Sequence, residues 1–156
     1  GTNGVQAMDL IGRKLPANNG RAIMAFAALT QQFAVDNDGD EDLEPLIDGL
    51  KGGAKHLRQA GEWLMQNAMQ NFDHAGAGAH DFLRLLALVT HGYMWCLMAK
   101  TALAKIAEGA EDRAFYENKL KTARFYMTHI MPETASHLAR IEAGADNVMA
   151  LDADAF

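Results

Sequence analysis

The sequence predicts an all-α fold: an up-and-down antiparallel four-helix bundle with a short extra helix at its N-terminus. Three observations predict it. Apolar residues recur at three- and four-residue intervals along almost the whole chain, no run alternates apolar and polar as a half-buried strand would, and Gly-, Asn- and Asp-containing breaks divide the pattern into segments of helical length. With 156 residues, 49% of them hydrophobic and 22% charged, the chain can bury one core without staples and is too apolar for disorder.

The first element is a short helix from Asn3 to Lys14, with Val5, Met8 and Ile11 or Leu15 on one face. Leu15 to Gly20 reads as a turn, because Pro16 and Asn19-Gly20 disfavour continuing it. A second helix is expected from Arg21 to Val35 through Ile23, Phe26, Thr30 and Phe33. The acidic stretch Asp36–Asp42 then reads as a solvated loop in which Asp42 caps the next helix and Pro45 takes its third position. From Leu43 to Phe72 the pattern gives one amphipathic helix of about 30 residues, roughly 45 Å long. Small residues on it, Gly49, Gly52, Gly53 and Gly61, point to close helix approach. Asp73 to Gly78 is expected to break the pattern, and a helix from His80 or Asp81 to Glu108 to follow, stopped by Gly109. Asp112 caps a last helix from Arg113 to Glu142, kinked at Pro132 because proline removes the bond to Thr128. Gly144 ends it, and the tail from Asn147 to Phe156 is expected to be irregular and to dock through Leu151 and Phe156.

Composition excludes several functions. The formal charge of −6 argues against a phosphate-backbone binder, so no nucleic-acid partner is expected. The lone Cys96 cannot form an internal disulfide and fits a reducing, cytoplasmic setting. The longest charge-free apolar stretch, Leu85 to Ala99, is shorter than the roughly 20 residues needed to span a bilayer, so no membrane is expected. Gly1-Thr2-Asn3-Gly4 carries neither an initiator Met nor a signal-peptide pattern, which raises the expectation that the chain is a piece of something longer.

Patterns that could carry chemistry are few. Read as a calcium loop, Asp36, Asp38 and Asp40 would be followed by Glu41 where Gly belongs and Ile47 where the bidentate acid belongs. His129, Glu133 and His137 lie four apart and share a helical face, but neither zinc nor di-iron spacing is completed, and no metal is expected. Ser136 has no Gly-x-Ser-x-Gly context, Cys96 sits in the most apolar helix, and no Gly-rich phosphate loop follows a strand. Trp63, Trp95, Tyr93 and the nine Met read as core. On pattern alone this is a helical bundle with no self-contained active site.

Two stretches add to that reading. Gly1-Thr2-Asn3-Gly4-Val5-Gln6, followed by Ala7 to Leu15, resembles the end of the catalytic part of an acyl-CoA dehydrogenase, where a Glu-Gly-Thr-x-x-Ile-Gln element occurs. Gly92 to Lys100 and Phe115 to Thr134 resemble the additional C-terminal helical domain of a bacterial subgroup, similar to dehydrogenases of 3-methylthiopropionyl-CoA. The resemblance implies that the catalytic base is a Glu immediately before Gly1, so no catalytic residue lies in this chain. It implies that Thr2 belongs to the segment touching FAD in the parent, and that no cofactor is held by the piece alone. It divides the chain into residues 1–15, the tail end of the catalytic domain, and 16–156, the helical domain. The implied partners are the rest of the dehydrogenase chain, a second subunit in a homodimer, and the acyl-CoA substrate of the parent. None of Glu62, Glu108, Glu117 or Glu133 stands in a context that nominates it as a substitute base. The alternative is a free-standing bundle that binds a partner protein or a small apolar ligand. Cut from its body, the first helix is expected to be detached, swapped onto a neighbouring chain or redocked on the bundle.

Overall fold

The computed structural model describes residues 2–155, is all-α and 80% helical, and has no strand among those residues. Helix α1 (Asn3–Asp9) runs into a π turn (Leu10–Lys14). After it come α2 (Arg21–Asp36), α3 (Glu44–Asn67) and α4 (Phe72–Ala107). The last helical run is α5 (Arg113–Phe125), a π turn (Tyr126–Ile130) and α6 (Glu133–Glu142). The central element is α4: α3 packs along it, α5 and α6 cover it from the other end of the chain, α6 also meets α3, and α1 lies against α4. Ala7 is the buried residue of α1, and Leu10, Ile11 and Leu15 pack against the core.

The turn at 15–20 forms as its composition suggests. Asn18, Asn19 and Gly20 take left-handed backbone in succession (φ 52°, 55° and 75°), a conformation Gly and Asn tolerate best. Gly109 and Gly144 do the same at the ends of α4 and α6 (φ 77° and 69°).

Several boundaries differ from the sequence expectation. The α3–α4 break lies at Ala68–Asn71, not at Asp73–Gly78. Asn71 is extended, and its side-chain oxygen accepts from the Asp73 N–H at 3.0 Å, so α4 starts there and the following Ala-Gly run is helical. Gly78 is a packing residue, with an added Cβ falling 3.4 Å from Leu64 and 3.5 Å from Ile141. Asp42 does not cap α3, whose N-cap position makes no side-chain bond; instead Asp40 Oδ1 accepts from the N–H groups of Asp42 (3.0 Å) and Leu43 (3.3 Å) in the turn that leads into it. Leu43 is fully buried in the N-cap position, which places Pro45 second in the helix. Asp112 does precede α5, but its side chain makes no cap bond. At Pro132 the last run does break, and the break is prepared by the π turn, in which the Met131 N–H donates to Tyr126 O (2.9 Å).

Helix α4 has 36 residues and a window of mean hydropathy 1.4, long and apolar enough by those measures alone to cross a membrane, beyond the shorter segment marked out by charge. Part of that apolarity faces the core, where Phe82, Leu85, Val89, Cys96 and Ala99 are buried, while Met94, Leu97 and Met98 are exposed; 39% of the window is buried. The tail does not dock through Leu151, which is 64% exposed, and Phe156 lies outside the described residues. Its anchor is Ala145, whose N–H donates to His74 Nδ1 (3.0 Å).

Candidate functional site

Polar side chains inside the fold serve as ties between helices. His137 Nδ1 donates to Asp81 Oδ1 at 2.7 Å, and Arg140 reaches the same oxygen at 3.2 Å, joining α6 to α4. His56 Nδ1 meets Thr134 Oγ1 at 2.9 Å; because that hydroxyl donates to Met131 O (2.7 Å), the imidazole is the donor, which joins α3 to α6. Burial holds the His56 pKa below its ordinary value, and the neighbouring Lys55 charge adds to this. Burial also pushes the Cys96 thiol up to about 12, so it stays protonated and unreactive. Burial raises the Tyr126 phenol to about 12 as well, with Glu133 contributing, and its hydroxyl donates to Leu88 O (3.0 Å).

His129, Glu133 and His137 do not share one face. The π turn and Pro132 fall among them, so His129 stacks on Phe125 in the open (4.9 Å between ring centroids) while His137 is buried against Asp81. Among the described residues no three His, Cys, Asp or Glu side chains gather as a metal site. The glutamates are surface groups. Glu62 pairs with Arg58, Glu108 with Lys105 and Glu117 with Arg113, each at 2.7–2.8 Å. A carboxylate paired in open water lacks the enclosed, positioned setting that a catalytic proton acceptor needs.

One feature with room for another molecule is an apolar cleft of about 1340 Å³ lined by α2, α3, α4 and the π turn after α1. Its α3 wall is the stripe Leu50, Ala54, Leu57, Gly61, Leu64 and Ala68; its α2 wall includes Ile23, Ala27, Thr30 and Ala34. Phe82 and Val89 of α4 lie at the bottom. Lys51, Lys55, Arg58 and Glu62 line the α3 edge, and the mouth exposes Met24, Met65, Met69 and Phe72. Sequence periodicity marks the α3 stripe as an inward face. It does not mark part of that face as open, because a period reports that a face is apolar and not what covers it.

Thr2, the residue that the resemblance places near a flavin, stands exposed before α1; its side chain caps nothing, and it is absent from the cleft wall. A flavin needs its ring held and its diphosphate met by N–H groups or cations. Thr2 offers one hydroxyl at an exposed position, which by itself supplies neither contact. Gly1, next to the implied base, lies outside the described residues.

Comparison with known proteins agrees with the helical pattern. A family model described as acetyl-CoA dehydrogenase C-terminal like matches residues 21–152. The chain is 27% identical over 150 residues to the 3-methylmercaptopropionyl-CoA dehydrogenase of Ruegeria pomeroyi, covering 96% of this chain and 25% of that protein. It is also 27% identical over 167 residues to the broad-specificity linear acyl-CoA dehydrogenase FadE5 of Mycobacterium tuberculosis, covering 100% and 27%. A butyryl-CoA dehydrogenase of Syntrophomonas wolfei is 24% identical over 164 residues, with 100% and 26% covered. The chain thus spans about a quarter of the length of the curated relatives it matches. With the greater part of its helices inside the matched span, the chain belongs to the acyl-CoA dehydrogenase C-terminal domain family.

Proposed function

We propose that this chain is the C-terminal helical domain of a flavin-dependent acyl-CoA dehydrogenase whose complete polypeptide removes hydrogens from the α and β carbons of an acyl-CoA thioester. The observation that carries the reading is the family match over residues 21–152, supported by relatives that are all dehydrogenases of acyl-CoA thioesters and about four times as long. In that reading α2, α3, α4 and the α5–α6 run form an up-and-down antiparallel four-helix bundle, and residues 1–15 are the end of the catalytic domain. The chain's own role is architectural: it packs on the dehydrogenase body, at a subunit interface of a homodimer or over the substrate mouth, in the cytoplasm. FAD belongs to the parent, with Thr2 in the segment beside it.

The chain alone is expected to be inactive. Proton abstraction needs a positioned carboxylate, and hydride transfer needs a flavin held against the β carbon. The ion-paired Glu62, Glu108 and Glu117 and the exposed Glu133 supply neither. The test purifies this chain and the product of the complete coding sequence in parallel. The longer protein should carry flavin absorbance that bleaches with an acyl-CoA thioester, and the 156-residue chain should show neither flavin nor turnover. Flavin binding and turnover by the short chain would refute the reading.

The open cleft favours a second reading, a free-standing bundle that receives a partner or a small apolar ligand. A natural reading frame beginning near Gly1 would select it.

A further inference from the structure

The tail after α6 is held by very little. Residues 146–155 are all exposed, and the buried residue of the segment is Ala145, at 1%. The tail's own backbone bonds are local: the Met149 N–H donates to Ala145 O (2.9 Å) and the Ala155 N–H to Asp152 O (3.0 Å). Among the described residues one hydrogen bond joins it to another element. It runs from the Ala145 N–H to Nδ1 of His74, in the first turn of α4, at 3.0 Å.

The His74 ring is lodged from two sides. Trp63 of α3 meets it edge-on, with 5.5 Å between ring centroids. Gly144 stands in left-handed backbone (φ 69°) so close that an added Cβ would fall 3.0 Å from Nδ1. A ring nitrogen can accept only while it carries no proton, so the docked tail requires the neutral ring with its proton on Nε2. A second proton turns Nδ1 into a donor facing a donor, and the Ala145 N–H must then find its partner in water. Turning the ring over does not help, because it puts a carbon where Nδ1 stood. The carboxylates nearest in sequence on the elements around the ring are Asp73 on α4, Glu62 on α3, and Glu142 and Asp146 on either side of Gly144–Ala145. Glu62 is paired with Arg58, the cation Arg140 reaches Asp81, and among the described residues no ion pair holds His74.

We propose that His74 is a pH-sensitive latch: its neutral ring holds the C-terminal tail, residues 145–155, on the bundle, and protonation of Nδ1 releases it, uncovering Ala145 and the edge of Trp63. One bond and one buried methyl group hold the tail, so loss of the bond frees all of it.

The experiment follows the ¹⁵N-labelled 156-residue chain by NMR between pH 8 and pH 5, the interval in which histidines change charge. At pH 8 the His74 ring should carry its proton on Nε2 and none on Nδ1, and the Ala145 amide should be protected from exchange. As the ring takes its second proton, that protection should fall at least about tenfold, after correction for the pH dependence of exchange itself. The heteronuclear NOE of Val148 and Met149 should drop with the same midpoint, and not with that of His56 or His137. His74→Asn sets a carbonyl oxygen in the place of Nδ1 with no proton to take up, and should keep the tail docked across the range. His74→Ala should leave the tail loose even at pH 8 while the amides at the centre of α4 stay protected. A proton on Nδ1 at pH 8, tail order indifferent to the charge of His74, or release of the His74→Asn tail on acidification would overturn the inference.

Discussion

Met127 and Met131 reach from the end of the chain into a slot that glycines leave open. An added Cβ on Gly49 would lie 3.0 Å from Met127 Cβ and Sδ, one on Gly53 would lie 2.5 Å from Met131 Sδ, and one on Gly92 would collide with the Met131 methyl. The glycines of α3 were legible as close-packing residues, but what they admit is a pair of methionine side chains, which no pattern along α3 could reveal. Gly53→Ala and Gly92→Ala should each lower unfolding free energy by about 1–3 kcal/mol through overpacking, measured by urea denaturation. Gly52→Ala, with nothing within 4 Å, should instead gain up to about 1 kcal/mol of helix propensity. Gly92→Ala combined with Met131→Ala should cost less than the sum of the two, because the clash is gone; strict additivity would show that they do not meet. His56 gives the pH-dependent case. Its folded pKa lies below 6.5, so the folded state favours the neutral ring and the unfolded state binds more protons. The stability that neutral His56 contributes is therefore present above 6.5 and lost as pH falls through the folded value. The difference in unfolding free energy between the wild type and His56→Gln should shrink on acidification below pH 6.5, and a constant difference would refute the assignment.

At the scale of elements, the last helical run holds to its neighbours through a buried stripe, Ala123, Met127, Met131, Leu138 and Ile141, to which a few polar ties are added. The π turn at Tyr126–Ile130 and Pro132 divide it, and α6 is fixed to α4 by His137 and Arg140 converging on Asp81. Removing Asp81 leaves a buried imidazole without its acceptor. Asp81→Ala should destabilise by about 1–3 kcal/mol, and amide exchange in α6 should accelerate more than in α3. Equal acceleration everywhere would mean that the tie is not local. The last break and the stops at Gly109 and Gly144 were legible because proline and left-handed glycine act within a few residues. The start of α4 was not: the Ala-Gly run from Ala75 to Gly78 has the composition of a break, yet Asn71 caps the helix upstream and Gly78 is held against Leu64 and Ile141. The π turn escaped for a related reason. A single widened turn shifts the helical face without leaving a residue signature, so His129, Glu133 and His137 keep their sequence spacing and lose their common face.

Across the whole molecule, apolar surface is distributed unevenly. The core around α4 is closed, whereas the cleft mouth leaves Met65, Met69 and Phe72 at least 63% exposed. The candidate site was legible as a stripe on α3 but not as an opening, since the gap arises from how far α2 stands off, a tertiary property that the pattern of either helix alone does not encode. Surface of this kind has a consequence that a closed bundle would not share. The exposed side chains at the cleft mouth should draw copies of the chain together. Sedimentation equilibrium should give a mass above the 17.0 kDa monomer that rises with protein concentration. The formal charge of −6 opposes that association, so raising salt should strengthen it. Met65→Glu with Met69→Glu places like charges across the mouth and should return the chain to monomer, while Met94→Glu on the far side of α4 should leave the association intact. A 17.0 kDa species at all concentrations would show that the mouth is not sticky enough to require a cover. Loss of association through Met94→Glu alone would move the covering surface to the outer face of α4.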